Sequence, residues 1–186
     1  MANIFWFDLE TTDNKTHRGG GIWQIAYIIE IDGQVKTRKE FKMKPFKNDL
    51  VNAQSLSVCG VTYEQIMQFE SPSNVLKQIL SDITPYKKLI MGGFNNAIFD
   101  NPFFMSWWYK ASNEMKINDS MLNYFYFDAL DVRTIALNKL IEERKNMEYF
   151  QQKDVARKLG IQVDESKLHD ALYDVELCIN IYNKTK

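Results

Sequence analysis

The chain is poor in the features that most readily announce a binding class. It has only two cysteines, Cys59 and Cys178, each in apolar surroundings, which excludes a disulfide framework and a cysteine-built zinc site. Both read as small core residues. It has no basic excess either: 23 Lys and Arg against 24 Asp and Glu give a formal net charge of -1. Bulk charge therefore cannot hold the protein on nucleic acid, although metal ions could supply positive charge locally. No apolar run approaches the roughly 18 residues of a membrane span, and no basic stretch followed by a long apolar run stands at the start. No membrane association and no signal peptide are expected, and the expected location is cytoplasmic. No low-complexity linker or internal repeat divides the sequence, and 186 residues suit a single domain over 1–186 with a sizeable core.

Aromatic residues are what the chain has in excess, and several crowd into 103–109. Apolar patterning places a first strand at 3–9 and a second at 22–31 (IWQIAYIIEI). Asp32-Gly33 is a hairpin signal leading into 35–44, where basic and apolar residues alternate as in a strand with one wet face. Thr62 with Gln65 forms a capping-box pattern, and Ser71-Pro72 is a helix start followed by the stripe Val75, Ile79, Ile83. KLIMGGF at 88–94 reads as a short buried strand. Helices are expected near 99–112, 131–144, 151–159 and 170–183. A strand meander followed by strands alternating with helices implies a mixed sheet covered by helices, an α/β architecture.

Acids fall in three unusual places. In FWFDLETT, Asp8 and Glu10 lie two residues apart in an apolar strand, so both project from one face. They are either solvated at a strand end or buried like charges that need a cation, for which oxygen ligands select hard divalent ions. Asp100 sits between Phe99 and the Pro102-Phe103-Phe104 run, where the plain reading is a helix N-cap; Asn95 and Asn96 could turn the chain or orient it. In LHDALYDVELC, Asp174 shares a helix face with Ala171 and Cys178, small residues that permit close approach to a strand. His169 precedes that helix; a lone histidine is usually structural, but this one lies five residues before Asp174. Taken together, the three sites suit a two-metal centre for in-line phosphoryl displacement, with a histidine to take a proton from water near neutral pH.

The motifs D-x-E-T-T at Asp8–Thr12, N-x-x-F-D at Asn96–Asp100 and H-x-A-x-x-D at His169–Asp174 resemble, in order, the DEDDh (DnaQ-like) 3′–5′ exonucleases. CGVTYEQI at 59–66, where the family often has His in place of Cys59, and DALDVRTIA at 128–136, with Asp131, look like further family segments. The resemblance implies an RNase H-like fold: a mixed five-stranded sheet, three strands antiparallel and the rest parallel, flanked by helices. It implies that Asp8, Glu10, Asp100 and Asp174 hold two Mg2+ or Mn2+ ions and that His169 is the general base. It also makes Leu9, Thr11, Thr12 and Asn96 substrate-binding candidates. The implied substrates are 3′ ends of single-stranded DNA or RNA, DNA slightly favoured, cleaved to nucleoside 5′-monophosphates. A polymerase or repair complex and a homodimer stay open as partners. Tyr173, adjacent to Asp174, cannot replace the histidine. The sequence departs from the family at Asp13, where glycine is usual.

Three alternatives remain: a non-catalytic nucleic-acid or polymerase-binding module, an RNA- or oligoribonucleotide-trimming enzyme, and a small-molecule metal phosphoesterase. Two surface expectations complete the reading. Trp107 and Trp108, adjacent on one helix, should not both point inward. His17-Arg18-Gly19-Gly20-Gly21 reads as a flexible loop able to touch phosphate.

Overall fold

The computed structural model describes residues 2–15 and 19–186. Five strands form one sheet in the order β3-β2-β1-β4-β5: β1 (Ile4–Thr11), β2 (Ile22–Ile31), β3 (Gln34–Lys42), β4 (Leu89–Gly93) and β5 (Phe125–Asp131). The first three make an antiparallel meander, while β4 runs parallel to β1 and β5 parallel to β4. The β2–β3 turn is closed by Asp32 and Gly33, both with positive φ (52° and 80°), the backbone that a two-residue hairpin requires.

Alternation along β1 splits the core in two. Phe5, Phe7 and Leu9 face α3 (Pro72–Ile83) and α4 (Asp100–Glu114), within a cluster that includes Tyr27, Ile79, Phe104 and Phe125. Ile4 and Trp6 face the other way, toward α5 (Val132–Lys139), α6 (Gln152–Lys158) and α7 (Ala171–Thr185). The short α1 (Ala53–Val58) and α2 (Tyr63–Ile66) enclose Trp23, Leu56 and Ile66 at one end. Both expected helix starts form: Ser71 Oγ accepts from Asn74 N, and Thr62 and Gln65 make a reciprocal capping box. The result is the RNase H-like mixed sheet between helices. Among the described residues, no helix is long and apolar enough to cross a membrane.

Four details differ from the sequence reading. Trp107 and Trp108 are both buried, at 3% and 2% exposure. Helix α4 is covered on two flanks: Trp107 stacks on Phe104, while Trp108 packs edge-on against Phe125 and donates its indole N–H to Asp119 O at 3.1 Å. Strand β5, which the patterning left unmarked, has no clean alternation, because as a sheet edge it leaves Tyr126 and Phe127 exposed. Helix α5 stops at Lys139 rather than 144, and the chain continues into a 3-10 turn at Arg144–Asn146. Gly20 and Gly21 are buried rather than loose: a Cβ on Gly21 would lie 2.3 Å from Asp49 Oδ2, so glycine is needed for the close approach. His17 and Arg18 lie outside the described residues.

Candidate metal centre

The site is built at the C-terminal half of the central strand. Asp8 pairs with Ala26 of β2, a fully buried small residue on the same face, which leaves room for α7 to lie close over the sheet. Glu10 follows on that face, just before a register irregularity at Glu10/Thr11 that ends regular pairing. From α7, Asp174 descends in the first turn, flanked by buried Ala171 and Cys178. Ligand oxygens of Asp8, Glu10 and Asp174 all lie within 4.8 Å of one another.

Asp100 completes the acidic group from a third element. It is 4% exposed and opens α4, whose N-cap is Phe99 with no side-chain cap; Asp100 is therefore not the capping residue. The turn before it is held from beneath. Asn95 adopts a left-handed conformation (φ 65°) and donates its N–H to Asp131 Oδ1 at 3.1 Å. Asp131 also accepts from Arg133 N and Thr134 N as the N-cap of α5, so it ties β4, β5 and α5 together. The fully buried Asn96 donates to Met91 O at 3.3 Å and to Asn101 Oδ1 at 3.4 Å.

Burial raises all four of these acids above the usual carboxylate range. Burial first, then the charges of Asp100, Asp174 and Glu10, push Asp8 well above the usual carboxylate range. Burial drives Glu10 up to about 7, opposed by a hydrogen bond from Cys59 and reinforced by Asp174 and Asp170. Asp100 rises to about 7, mainly through burial and against backbone hydrogen bonds from its own N–H and that of Leu9. Asp174 rises to about 6, again through burial, although the backbone N–H of His169 donates to its Oδ2 at 3.2 Å. Four carboxyls gathered at such cost call for a counter-charge. An all-oxygen donor set of this density fits hard divalent cations.

His169 is exposed, on the turn before α7, with a left-handed backbone (φ 68°). Asp170 caps α7 by accepting from Tyr173 N at 2.9 Å, and the Tyr173 hydroxyl accepts from Asp164 N at 2.7 Å. The tyrosine is thus engaged in holding the preceding segment. Of the residues expected to touch substrate, Leu9 and Asn96 are buried, and Thr12 is fully enclosed. The Thr12 hydroxyl donates to Leu50 O at 2.6 Å and accepts from Gly21 N at 2.8 Å, fastening two loops. Thr11 alone of the four is not buried. Asp13, where the family has glycine, is buried without a positive φ and accepts from Lys15 N at 2.9 Å, so the turn has no need of glycine.

Two neighbours escaped the sequence reading. Cys59 is half-buried rather than a core residue, and its Sγ donates to Glu10 Oε2 at 3.1 Å; its place in a family segment was the available signal. Gln152 donates to Asp174 O at 2.6 Å, locking α6 to α7, and nothing in the sequence pattern marked it.

The model of the RNase T family, described as exonuclease, matches residues 5–182. The chain belongs to the RNase T exonuclease family. A search of curated protein sequences finds no significant match. Among solved structures, this exonuclease-family chain resembles E. coli exonuclease I in complex with a dT13 oligonucleotide, at 19% identity, TM-score 0.72, over 98% of this chain and 40% of that one. A zinc-bound complex of the E. coli enzyme with single-stranded DNA matches at 20% identity, TM-score 0.76, over 100% of this chain and 40% of that one. An ExoI/SSB-Ct complex matches at 18% identity, TM-score 0.71, over 100% of this chain and 41% of that one. At these identities the likeness is one of fold. The chain spans about 40% of the length of the structures it matches.

Proposed function

We propose that the protein is a metal-dependent 3′–5′ exonuclease acting on single-stranded nucleic acid, with DNA favoured over RNA, and that residues 1–186 form the exonuclease domain. The observation that carries this reading is the convergence of Asp8, Glu10 and Asp174 within 4.8 Å, with buried Asp100 beside them. In this reading these four carboxylates hold two Mg2+ or Mn2+ ions. When bound, the ions supply the positive charge that an attacked phosphodiester and its leaving oxygen need.

The chain's own residues do the rest. His169, exposed beside Asp174 and held by a backbone hydrogen bond to that carboxylate, takes the proton from the attacking water. The bond from phosphorus to the 3′ oxygen of the penultimate nucleotide breaks, and a nucleoside 5′-monophosphate leaves. Cys59 and the backbone donors at Leu9 and His169 orient the acids. Thr11 is the candidate to meet the 3′-terminal nucleotide, while Leu9, Thr12 and Asn96 support the site from behind. The preference for DNA rests on the single-stranded DNA held by the similar E. coli enzyme structures.

Incubation with 3′- and 5′-labelled single-stranded DNA and RNA, with manganese, magnesium or chelator, tests the reading. Stepwise shortening from the 3′ end that needs metal and is lost in Asp174→Asn and His169→Ala is expected. Intact oligonucleotides with folded, metal-loaded protein would refute it.

A further inference from the structure

A cavity of about 220 Å³ opens beside Asp174, lined by Gln151, Gln152, Lys153, Leu168, His169 and Asp174. Two of these residues belong to the proposed centre, and Gln152 fixes the position of α6 through its bond to Asp174 O. That bond also fixes the backbone of Lys153, the next residue, relative to the acid. The other cations of this corner are taken: Arg157 pairs with Asp154 and Glu165, and Lys167 with Asp164. Lys153 is partly buried, yet among the described residues no ion pair or hydrogen bond engages its ammonium.

The size of the cavity limits what it can hold. At about 220 Å³ it is below the roughly 300 Å³ at which small-molecule pockets begin. That space has room for a phosphate and part of a sugar. A phosphate entering here has Asp174, and with it the acids proposed to hold the ions, on one side. Its outward oxygens need a donor on the other, and a lysine is a mobile point charge suited to phosphate.

We infer that Lys153 contacts the phosphate under attack from the side away from the carboxylates, so that the cavity is the seat of the terminal phosphate. The inference rests on the nuclease reading for the identity of the substrate, but its test does not require turnover. Binding of thymidine 5′-monophosphate, with thymidine as control, is measured by calorimetry on manganese-saturated wild type, Lys153→Met and Lys153→Arg. Manganese affinity and melting temperature are followed without nucleotide, and cleavage of labelled oligonucleotide in parallel.

Loss of a charge-assisted contact should weaken monophosphate binding by roughly tenfold to a hundredfold in Lys153→Met. Thymidine binding and melting temperature should hold, and Lys153→Arg should recover most of the affinity. Unchanged monophosphate affinity in Lys153→Met, or no monophosphate binding by the wild type, overturns the inference. So does a change confined to manganese affinity, which would make the lysine a counter-charge to the acids only. Monophosphate binding that depends on Lys153 in a protein that leaves oligonucleotides intact would sink the exonuclease reading and keep the lysine's role. Active wild type with an equally active Lys153→Met would do the reverse.

Discussion

Without metal, the protein should lose stability as pH rises from 5 to 8, the opposite of what a salt-bridged carboxylate gives. Glu10 lies at about 7 in the folded chain against 4.5 when free, and Asp174 at about 6 against 3.8. A group whose folded pKa is raised keeps a proton that the unfolded chain has released. Its contribution is full below the unfolded value and is lost as pH climbs through the folded one, here between about 4 and 7. Either shift alone corresponds to about 3 kcal/mol. Both groups are open to some water, and Glu10 owes part of its rise to Asp174, so the expected joint loss is also about 3 kcal/mol. For a chain of this length that is a fall in melting temperature of about 6–12 °C. Circular-dichroism melts of chelator-treated protein at pH 5, 6, 7 and 8 measure it. Manganese should restore the loss at pH 8, where the carboxylates are free to bind it, and do little at pH 5. Asp174→Asn should flatten the metal-free slope. A chelated protein as stable at pH 8 as at pH 5, or a slope untouched by Asp174→Asn, would refute the reasoning.

Three other perturbations probe the supports of the site. Cys59→Ala removes the donor on Glu10 Oε2 and should weaken manganese binding by about threefold to tenfold, which Cys59→Ser should largely restore; calorimetric titration reads both. Gly93→Ala places a Cβ 2.9 Å from Asn96 Cβ and 3.0 Å from Phe7 O, so it should cost about 1–3 kcal/mol in denaturant melts and shift the turn that carries Asp100. Phe104→Ala, in the aromatic cluster with Phe5, Phe7, Trp107 and Trp108, should cost about 3–5 kcal/mol, and an unchanged urea midpoint would contradict the packing described.

How much of this was legible in the sequence depended on whether a signal was local. The Asp32-Gly33 hairpin, the Thr62 capping box and the Ser71-Pro72 start depend on residues a few positions apart, and each forms where the pattern places it. Strand β5 did not announce itself, because an edge strand answers to neighbours on one side only and its exposed aromatics break the alternation. The burial of both tryptophans was illegible for a related reason. One helix can hide two adjacent rings only if other segments cover both flanks, and the Asp119–Tyr124 stretch that covers one of them lies outside any helical period. Within the site, residue type and spacing marked the acids, whereas Cys59 and Gln152 meet them only through tertiary contact.

The opening strand explains why acids and aromatics had to be interleaved. A cluster of like charges pushes its members apart, and only a rigid support keeps it ready for cations. In β1 the odd positions supply that support: Phe5 and Phe7 sit in a web of ring contacts with Tyr27, Phe104 and Phe125 on the face away from the acids. The even positions turn to the other face, where Trp6 packs against Tyr182 of α7, and Asp8 and Glu10 follow along the same line toward Asp174. Helix α7 is therefore clamped to β1 by an aromatic contact near its C-terminal end and meets the carboxylates at its N-terminal end. Tyr182→Ala should thus reach the site from a distance. With the clamp gone, Asp174 is free to retreat from Asp8 and Glu10, and manganese affinity should fall although no ligand has been touched. A fall in melting temperature with manganese affinity intact would mean that the acids are held by their local hydrogen bonds alone, and that the aromatic face of β1 serves stability without serving the site.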